Sequence, residues 1–383
     1  MVLTLGILLF PFDFSSFSVP LWILIVLGFL IAFSVTYFAI PIIVKGAIYK
    51  GLYAEPTGRA SHEKPIPVLG GVGIFAGFIL STNVVAGAYF TFELSYLITG
   101  LIVIFIVGIK DDLMGGKPWK KLLGQFLAVL IICVLANIRI SNLHGFLGIG
   151  DIPYLLSLLL TIFVMIVLIN GFNLIDGIDG LASGIGILVS FVLGLWFYMT
   201  GNIACAVMCS ALAGALIAFF NFNVFSKENK IFLGDTGSLT IGLVLGVLVV
   251  RFLQLEKSAE GIAVINTAPA FAVTLFVLPL FDTLRVFSIR IAQGKSPFKA
   301  DHQHIHHRML ELGFSHLQST TILISINLVF IIICYLLQDL GNLILILSQF
   351  IIATLLSSWL LVLVKKRNNE THRPGRIHRN SPL

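Results

Sequence analysis

Charged side chains are scarce in this chain of 383 residues, since Asp, Glu, Lys and Arg together make up only 11% of it. A soluble domain carries about 25% charged residues, so the chain lacks the side chains that would cover a water-soluble surface. Hydrophobic residues make up 58%, and several uncharged stretches of about 20 residues could each cross a bilayer. These stretches are continuous rather than alternating, so they predict membrane helices rather than the strands of a barrel.

Cysteine is scarce as well. The four cysteines lie inside apolar runs and none stands at metal-ligand spacing from a histidine, so we expect small core residues rather than a zinc site. The N-terminus lacks a basic region and a small-residue cleavage site, so we do not expect a cleaved signal peptide. The net charge of +6 does not indicate nucleic-acid binding, because cytoplasmic loops of membrane proteins collect Lys and Arg.

The apolar runs predict an all-α, polytopic integral membrane protein with about eleven transmembrane helices. The predicted spans lie near 18–44, 67–90, 94–110, 120–138, 154–172, 180–200, 203–223, 236–254, 263–291, 318–338 and 341–364. Residues 1–364 would form one transmembrane catalytic domain. The basic tail, 365–383, is predicted to be cytoplasmic and disordered.

The orientation follows from the basic residues. Of the 24 Lys and Arg residues, all but Arg139, Arg251 and Lys257 fall on the same side of the predicted spans. The positive-inside rule makes that side cytoplasmic. The N-terminus is therefore predicted to lie outside and the C-terminus inside.

The first polar feature on the inner side is an acidic pair, Asp111 and Asp112, after the third span. Adjacent carboxylates at a membrane boundary repel each other and are costly to bury. A divalent cation or a metal-bound phosphate would relieve that repulsion. A solvated loop is the alternative explanation.

The second feature is the asparagine–aspartate motif, N-G-F-N-L-I-D-G-I-D-G, at 170–180. Asn170, Asn173, Asp176 and Asp179 stand three residues apart, a spacing that places neighbours on one face of a helix. Amide and carboxylate groups aligned where lipid gives way to water predict a ligand surface.

The third feature is the turn motif, L-G-D-T-G-S at 233–238, which enters the eighth span. Asp235 and Ser238 could act only as helix caps. Asn221 and Asn223 lie nearby in the predicted topology, at the inner end of the seventh span.

The fourth feature is the histidine motif, D-H-Q-H-I-H-H-R at 301–308, with His304, His306 and His307. Histidines suggest zinc first, but no cysteine is near. The carboxylates elsewhere suit magnesium better, and histidines beside basic residues can bind phosphate oxygens.

The fifth feature is a basic loop containing Arg59, His62 and Lys64, which leads into the second span. An ordinary basic loop is its alternative explanation. The predicted topology places all five features inside. Metal-binding oxygens, cations and histidines are what phosphoryl transfer requires, and the membrane location suggests one lipid substrate and one cytosolic substrate.

Taken in order, the acidic pair, N-x-x-N-x-x-D-G-x-D-G, L-G-D-T-G-S and H-x-H-H resemble the polyprenyl-phosphate N-acetylhexosamine-1-phosphate transferases. Within them, P-L-F-D-T-L-R at 279–285 and H-I-H-H at 304–307 are most similar to the bacterial undecaprenyl-phosphate N-acetylglucosamine-1-phosphate transferases. The muramoyl-pentapeptide branch has three consecutive histidines, which this chain lacks. The segment between Asn221 and Asp235 is longer than the family pattern and lacks its proline, so either Asn221 or Asn223 matches the family asparagine.

The resemblance implies that a polyprenyl phosphate attacks the β-phosphorus of UDP-N-acetylglucosamine, with Mg²⁺ (or Mn²⁺ instead) at the pyrophosphate, and that UMP leaves. It implies a bacterial cytoplasmic membrane enzyme of envelope polysaccharide synthesis, such as lipopolysaccharide or cell-wall polymers. Its active site would face the cytoplasm, and a homodimer is compatible with the family. Covalent and direct-attack mechanisms both stay open.

The implied roles can be assigned residue by residue. Catalytic roles fall to Asp111, Asp112, Asp235, His304, His306 and His307; substrate-binding roles to Asn170, Asn173, Asp176, Asp179, Asn221, Arg59, His62 and Lys64; and metal-binding roles to Asp235 and Asn173.

Two alternatives compete with this interpretation. A different donor, either another UDP-N-acetylhexosamine or UDP-muramoyl-pentapeptide, would use the same chemistry. A secondary transporter would place ionisable residues at the bilayer midplane, whereas these spans are nearly free of charge except for Asp282 and Arg285 late in the ninth.

Overall fold

The computed structural model of the protein describes residues 19–52, 66–87, 92–256, 259–294 and 304–371. The described residues form α-helices and no sheet, and the β-bridge between Asn142 and Asp151 is isolated. The helices are α1 (Leu21–Tyr49), α2 (Gly70–Ser81), α3 (Phe92–Met114), α4 (Pro118–Leu135), α5 (Tyr154–Ile175), α6 (Leu181–Met199), α7 (Ile203–Phe220), α8 (Gly234–Leu255), α9 (Ala268–Leu275), α10 (Val277–Ala292), α11 (Ile305–Glu311), α12 (His316–Leu336) and α13 (Asn342–Thr371). The predicted all-α class is confirmed.

Each predicted span coincides with a helix or with two consecutive helices. Among the described residues, eight helices are long and apolar enough to cross a membrane, and α9 with α10 makes a ninth if the two form one bent span. The other two predicted spans correspond to the shorter apolar helix Gly70–Ala86 and to α3. The chain is therefore polytopic, while the number of spans and their orientation stay predictions.

The last helix is longer than the sequence predicted. It continues past 364 to Thr371, where the beginning of a disordered tail was expected. Lys and Arg are good helix formers, so the basic residues that mark the membrane boundary do not end the helix. The rest of the predicted tail, 372–383, lies outside the described residues.

Helix α8 is the centre of the bundle. It is buried along most of its length and packs against α2, α3, α5 and α6. Glycines permit this close packing: a Cβ at Gly242 would stand 2.7 Å from the Cα of Ile169 on α5. Small residues allow membrane helices to approach at backbone distance, and here they bring α5 and α8 together along their shared interface.

One end of this bundle gathers the polar motifs. Side chains at the C-terminal ends of α3 and α5 contact the N-terminal turns of α4 and α8 there, and the loop before α6 contacts the end of α7. Helices that alternate in direction bring such ends together whenever each crosses the bundle once. Motifs separated by more than a hundred residues therefore lie side by side.

Candidate active site

Three oxygen-bearing side chains surround one positive charge at this end. The ammonium of Lys121 lies 2.6 Å from Asp235 Oδ2, 3.2 Å from Asn173 Oδ1 and 3.3 Å from Asp111 Oδ2. The α3–α4 hairpin places Lys121 opposite Asp111, because Gly115 adopts a left-handed turn (φ 64°) directly after α3. The Lys121 ammonium is therefore surrounded by one oxygen from each of three motifs: the acidic pair, the asparagine–aspartate motif and the turn motif.

Asn173 also ties α5 to α8. Its amide nitrogen lies 2.5 Å from Asp235 Oδ1 and 2.9 Å from Ser238 Oγ, and it donates to both. The amide is thereby oriented with its oxygen towards Lys121. Ser238 in turn donates to the Gly234 carbonyl at 3.0 Å, so the turn motif forms both a helix start and one wall of the site.

The donor chemistry fits a hard divalent cation. The carboxylates of Asp111 and Asp235 and the amide oxygen of Asn173 are the ligand types that Mg²⁺ prefers, and Mg²⁺ is typically held by one or two carboxylates together with substrate phosphates. The described residues contain no group of three or more His, Cys, Asp or Glu side chains placed to hold a metal. Two carboxylates and one amide oxygen are nevertheless a ligand set of the type that holds Mg²⁺ together with substrate phosphates.

The second residue of the acidic pair faces elsewhere. Asp112 accepts hydrogen bonds from the backbone N–H of Asp235 at 2.7 Å and from that of Thr236 at 2.9 Å. It also accepts one from the Thr236 hydroxyl at 2.5 Å. Its carboxylate therefore lies at the start of α8, whereas Asp111 faces Lys121.

The loop between α5 and α6 carries the other two aspartates of its motif. Asp179 pairs with Lys230 at 2.7 Å and with His316 at 3.2 Å. Burial alone would raise the pKa of Asp179, but hydrogen bonds from His316 and Lys230 outweigh it and hold that pKa below its usual range. Asp179 is therefore held at the edge of the site by the ammonium of Lys230 and the ring of His316.

Asp176 has the opposite electrostatics. Burial, followed by the negative charges of Asp235, Asp112 and Asp179, raises the pKa of Asp176 well above its usual range. The three neighbouring carboxylates and the burial therefore disfavour a further negative charge at Asp176.

The asparagines of the sequence motifs divide into two groups. Asn170 lies one turn deeper than Asn173 and exchanges two hydrogen bonds with Gln125 of α4, at 2.7 and 3.2 Å. Its amide therefore joins α5 to α4. The substrate contact predicted for Asn170 stays a prediction.

Of the two asparagines left open by the sequence, Asn223 is the one joined to the motifs. Its Oδ1 accepts from Gly180 N at 2.7 Å, and its Nδ2 donates to Ile231 O at 2.9 Å. Asn221, at the start of the same π-helical turn, is exposed. The structure therefore favours Asn223 for the family position at which we had placed Asn221.

The histidine motif packs directly on the asparagine–aspartate motif. His304 and His306 stack with their rings parallel and centroids 5.5 Å apart, and a Cβ at Gly177 would stand only 2.1 Å from His306 Nε2. Burial, together with the charge of His307, lowers the pKa of His306 to about 3. His306 is thus a neutral ring pressed against the loop that carries Asp176 and Asp179.

The ring of His304 is held in place by Asp282, a carboxylate on α10. Its Nδ1 lies 2.8 Å from Asp282 Oδ2, and Asp282 Oδ1 accepts from Ile305 N at 3.2 Å and from Arg285 at 3.0 Å. A carboxylate bonded to one ring nitrogen sets which nitrogen of a histidine carries the proton. Asp282, to which the sequence analysis gave no role in the site, therefore anchors the histidine motif.

Sequence patterns missed Lys121, Asp282, Lys230 and His316 as parts of the site. Lys121 was counted only as a positive-inside residue, although it lies one helical hairpin after Asp111. Lys230 lies in the connection before α8 and His316 is the first residue of α12, and neither belongs to a family pattern. Their only sequence signal was a basic group near the inner end of a span. Arg59, His62 and Lys64 lie outside the described residues, and their roles stay predictions.

Known proteins are similar in sequence to this chain. The family model described as glycosyl transferase family 4 matches residues 94–253. The undecaprenyl-phosphate alpha-N-acetylglucosaminyl 1-phosphate transferases of Yersinia pestis and Escherichia coli K12 are each 29% identical. They align over 72% and 70% of this chain and over 74% and 72% of their own lengths. The decaprenyl-phosphate N-acetylglucosaminephosphotransferase of Mycolicibacterium smegmatis is 31% identical over 78% of both chains.

Proposed function

The chain belongs to glycosyl transferase family 4 and is a phosphoglycosyltransferase, and we propose that it transfers N-acetylglucosamine 1-phosphate from UDP-N-acetylglucosamine to undecaprenyl phosphate. In this reaction an oxygen of the lipid phosphate bonds to the β-phosphorus of the donor. The bond from that phosphorus to the oxygen shared with the α-phosphate breaks, and UMP leaves. The product is a lipid-linked pyrophosphoryl sugar, the starting unit for an envelope polysaccharide.

The observation that carries this proposal is the convergence of three oxygens on one cation. Asp111, Asp235 and Asn173 surround the Lys121 ammonium, and two joined phosphates need both a metal and a cation near them to disperse negative charge. A magnesium ion held by these oxygens would neutralise the pyrophosphate and polarise its phosphorus. Lys121 would contribute a further positive charge beside the transferred phosphoryl group.

The surrounding residues suit the two ends of the donor. Asp179, Lys230 and His316 form a charged, partly exposed group at the edge of the site, where a soluble nucleotide would bind. The neutral, buried His306 and its neighbours lie over the loop between the two groups. We therefore assign the nucleotide to the Asp179 side and the pyrophosphate to the Lys121 side.

The proposed location is the inner face of the bacterial cytoplasmic membrane. The motifs of the site fall on the side of the predicted spans that carries nearly all of the Lys and Arg residues in the sequence, and cytoplasmic loops are the ones enriched in these residues. UDP-sugars are cytosolic, so this face would supply the donor. Membership of an enzyme family argues against the transporter alternative.

The test is UMP release by the purified protein in detergent, given UDP-N-acetylglucosamine, undecaprenyl phosphate and Mg²⁺. Asp235→Asn should lower the turnover number at least about 100-fold, because a charged ligand of the cation is lost. Asp339→Asn is the matched control, since Asp339 is an exposed aspartate in the turn between α12 and α13. Unchanged turnover in Asp235→Asn would contradict the proposal.

Two further experiments test the metal requirement and the identity of the sugar donor. Chelation with EDTA should abolish UMP release, and Mg²⁺ or Mn²⁺ should restore it; activity that survives chelation would exclude the metal role. Competition between UDP-N-acetylglucosamine, UDP-N-acetylgalactosamine and UDP-muramoyl-pentapeptide should favour the first. Preference for either competitor would leave the proposed transfer reaction in place but would contradict UDP-N-acetylglucosamine as its donor.

A further inference from the structure

The two members of the acidic pair cannot serve the same ligand. Consecutive residues of an α-helix point about 100° apart, since one turn takes 3.6 residues. Asp111 and Asp112 both lie inside α3, three and two residues before its end at Met114. Asp111 Oδ2 lies 3.3 Å from Lys121 Nζ, so the carboxylate of Asp112 must face another neighbour.

That neighbour is the first turn of α8. The initial N–H groups of a helix have no partner within the helix, and a negative charge placed beside them is stabilised by the helix dipole. Asp112 accepts from the N–H of Asp235 and of Thr236 and from the Thr236 hydroxyl. Three of its roughly four acceptor positions are therefore directed at α8.

The backbone around this contact leaves little room for another arrangement. A Cβ at Gly108, one turn before Asp112, would stand 2.5 Å from the Cα of Thr236, and one at Gly71 would stand 2.1 Å from the N of Gly237. Gly234 takes a left-handed conformation (φ 72°), and its position faces the Asp112 carboxylate. The start of α8 is thus clamped between α2 and α3, with Asp112 as its polar anchor.

We propose that Asp112 is a positioning residue, which caps α8 and thereby holds the Asp235 carboxylate towards Lys121 and Asn173, while Asp111 alone of the pair faces the cation. This inference rests on the proposed function for its catalytic consequence. Its structural half, the bond between Asp112 and the α8 N-terminus, does not. Asp112→Asn replaces an acceptor oxygen by an NH₂ group that repels the N–H donors of α8.

The decisive comparison is a double-mutant cycle between Asp112→Asn and Thr236→Val, with UMP release as the readout. Asp112→Asn should lower the turnover number about 100-fold and Thr236→Val about tenfold, because each removes hydrogen bonds to a charged group. Thr236→Ser, which restores the hydroxyl, should stay within about twofold of wild type. The double variant should be no worse than Asp112→Asn, since residues that share one interaction are not additive. The KM for the donor should change little.

Thr240→Val is the matched control. Thr240 lies one turn further along α8, and its hydroxyl donates to the Thr236 carbonyl at 2.6 Å, so the variant loses a buried hydroxyl without touching Asp112. It should keep wild-type turnover. Wild-type turnover in Thr236→Val alongside an inactive Asp112→Asn, or additive effects in the cycle, would overturn the inference and assign Asp112 to the substrate directly.

The same four proteins, melted in detergent, separate this inference from the proposed function. If the double variant lowers the unfolding midpoint by less than the sum of the losses in Asp112→Asn and Thr236→Val, the result supports Asp112 as the cap of α8. If the two losses add, the result overturns it. Both results are obtained whether or not the wild type releases UMP. An inactive wild type with coupled midpoints would refute the proposed function alone.

Discussion

Gly177 is the residue at which the histidine motif touches the asparagine–aspartate motif. A methyl group there would stand 2.1 Å from His306 Nε2, well inside van der Waals contact. Gly177→Ala should therefore displace the His306 ring, at a cost of about 1–3 kcal/mol for forcing a group into a packed site. We expect UMP release to fall at least about tenfold.

The control for that substitution is Gly46→Ala. Gly46 lies in α1 with open space around the position of its Cβ, so the variant should keep wild-type activity. Wild-type activity in Gly177→Ala would contradict the contact between the two motifs.

His306 also predicts how stability depends on pH. Its folded-state pKa of about 3 lies below the usual 6.5. Between these two pH values the unfolded chain therefore binds a proton at His306 that the folded chain does not bind. The stability associated with His306 is therefore complete above about pH 6.5 and falls by about 1.4 kcal/mol per pH unit as the pH drops towards 3. His306→Gln removes this titration. Between pH 7 and 5 the wild-type unfolding midpoint should fall more than that of the variant; equal slopes would refute the assignment.

Single residues differed in how far the sequence could identify them. Asp235 and Asn173 were predicted as ligands of one metal, and the structure places their side chains in contact. Asp111 and Asp112 were predicted as equivalent, because a sequence does not show that adjacent helical residues face different helices. Lys121 and Asp282 act through partners more than nine residues away, and no local pattern encodes such a partner.

At the scale of helices, the sequence predicted a single span at 263–291, whereas the structure has two helices, α9 and α10, that meet at a bend of 75°. Pro279 lacks the N–H that would bond to the Leu275 carbonyl, four residues earlier. Asn327 of α12 donates to that carbonyl instead, at 3.2 Å. A broken helix survives in lipid only where another group satisfies the freed backbone. The sequence contains the proline, but the partner that permits the break lies about fifty residues further on.

Replacing that partner should destabilise the bend. Asn327→Leu leaves the Leu275 carbonyl buried without a donor, which costs about 1–3 kcal/mol, so the unfolding midpoint in detergent should fall. Pro279→Ala restores an N–H at the break, and the double variant Pro279→Ala/Asn327→Leu should recover part of the loss. Thr354→Val, which removes an exposed hydroxyl bonded within α13, serves as the control. A midpoint for Asn327→Leu equal to the control would contradict this explanation.

For the whole molecule, hydropathy and the distribution of basic residues predicted the helical class and the common side of the motifs. They did so because lipid tolerates few polar groups and loop charge follows topology. They could not predict that α8 lies at the centre. That position depends on glycines such as Gly242 and Gly237 meeting the backbones of α5 and α2, and a sequence alone does not pair such glycines with their neighbours.

In the proposed reaction the converged motifs transfer a sugar phosphate, not a sugar alone. The most direct measurement is the fate of a radioactive phosphorus in the β position of UDP-N-acetylglucosamine, incubated with the protein, undecaprenyl phosphate and Mg²⁺. We expect the label to enter the lipid fraction while unlabelled UMP is released, and we expect Asp235→Asn to prevent both. Label released as UDP, or retained entirely in the donor by a folded wild-type protein, would contradict it.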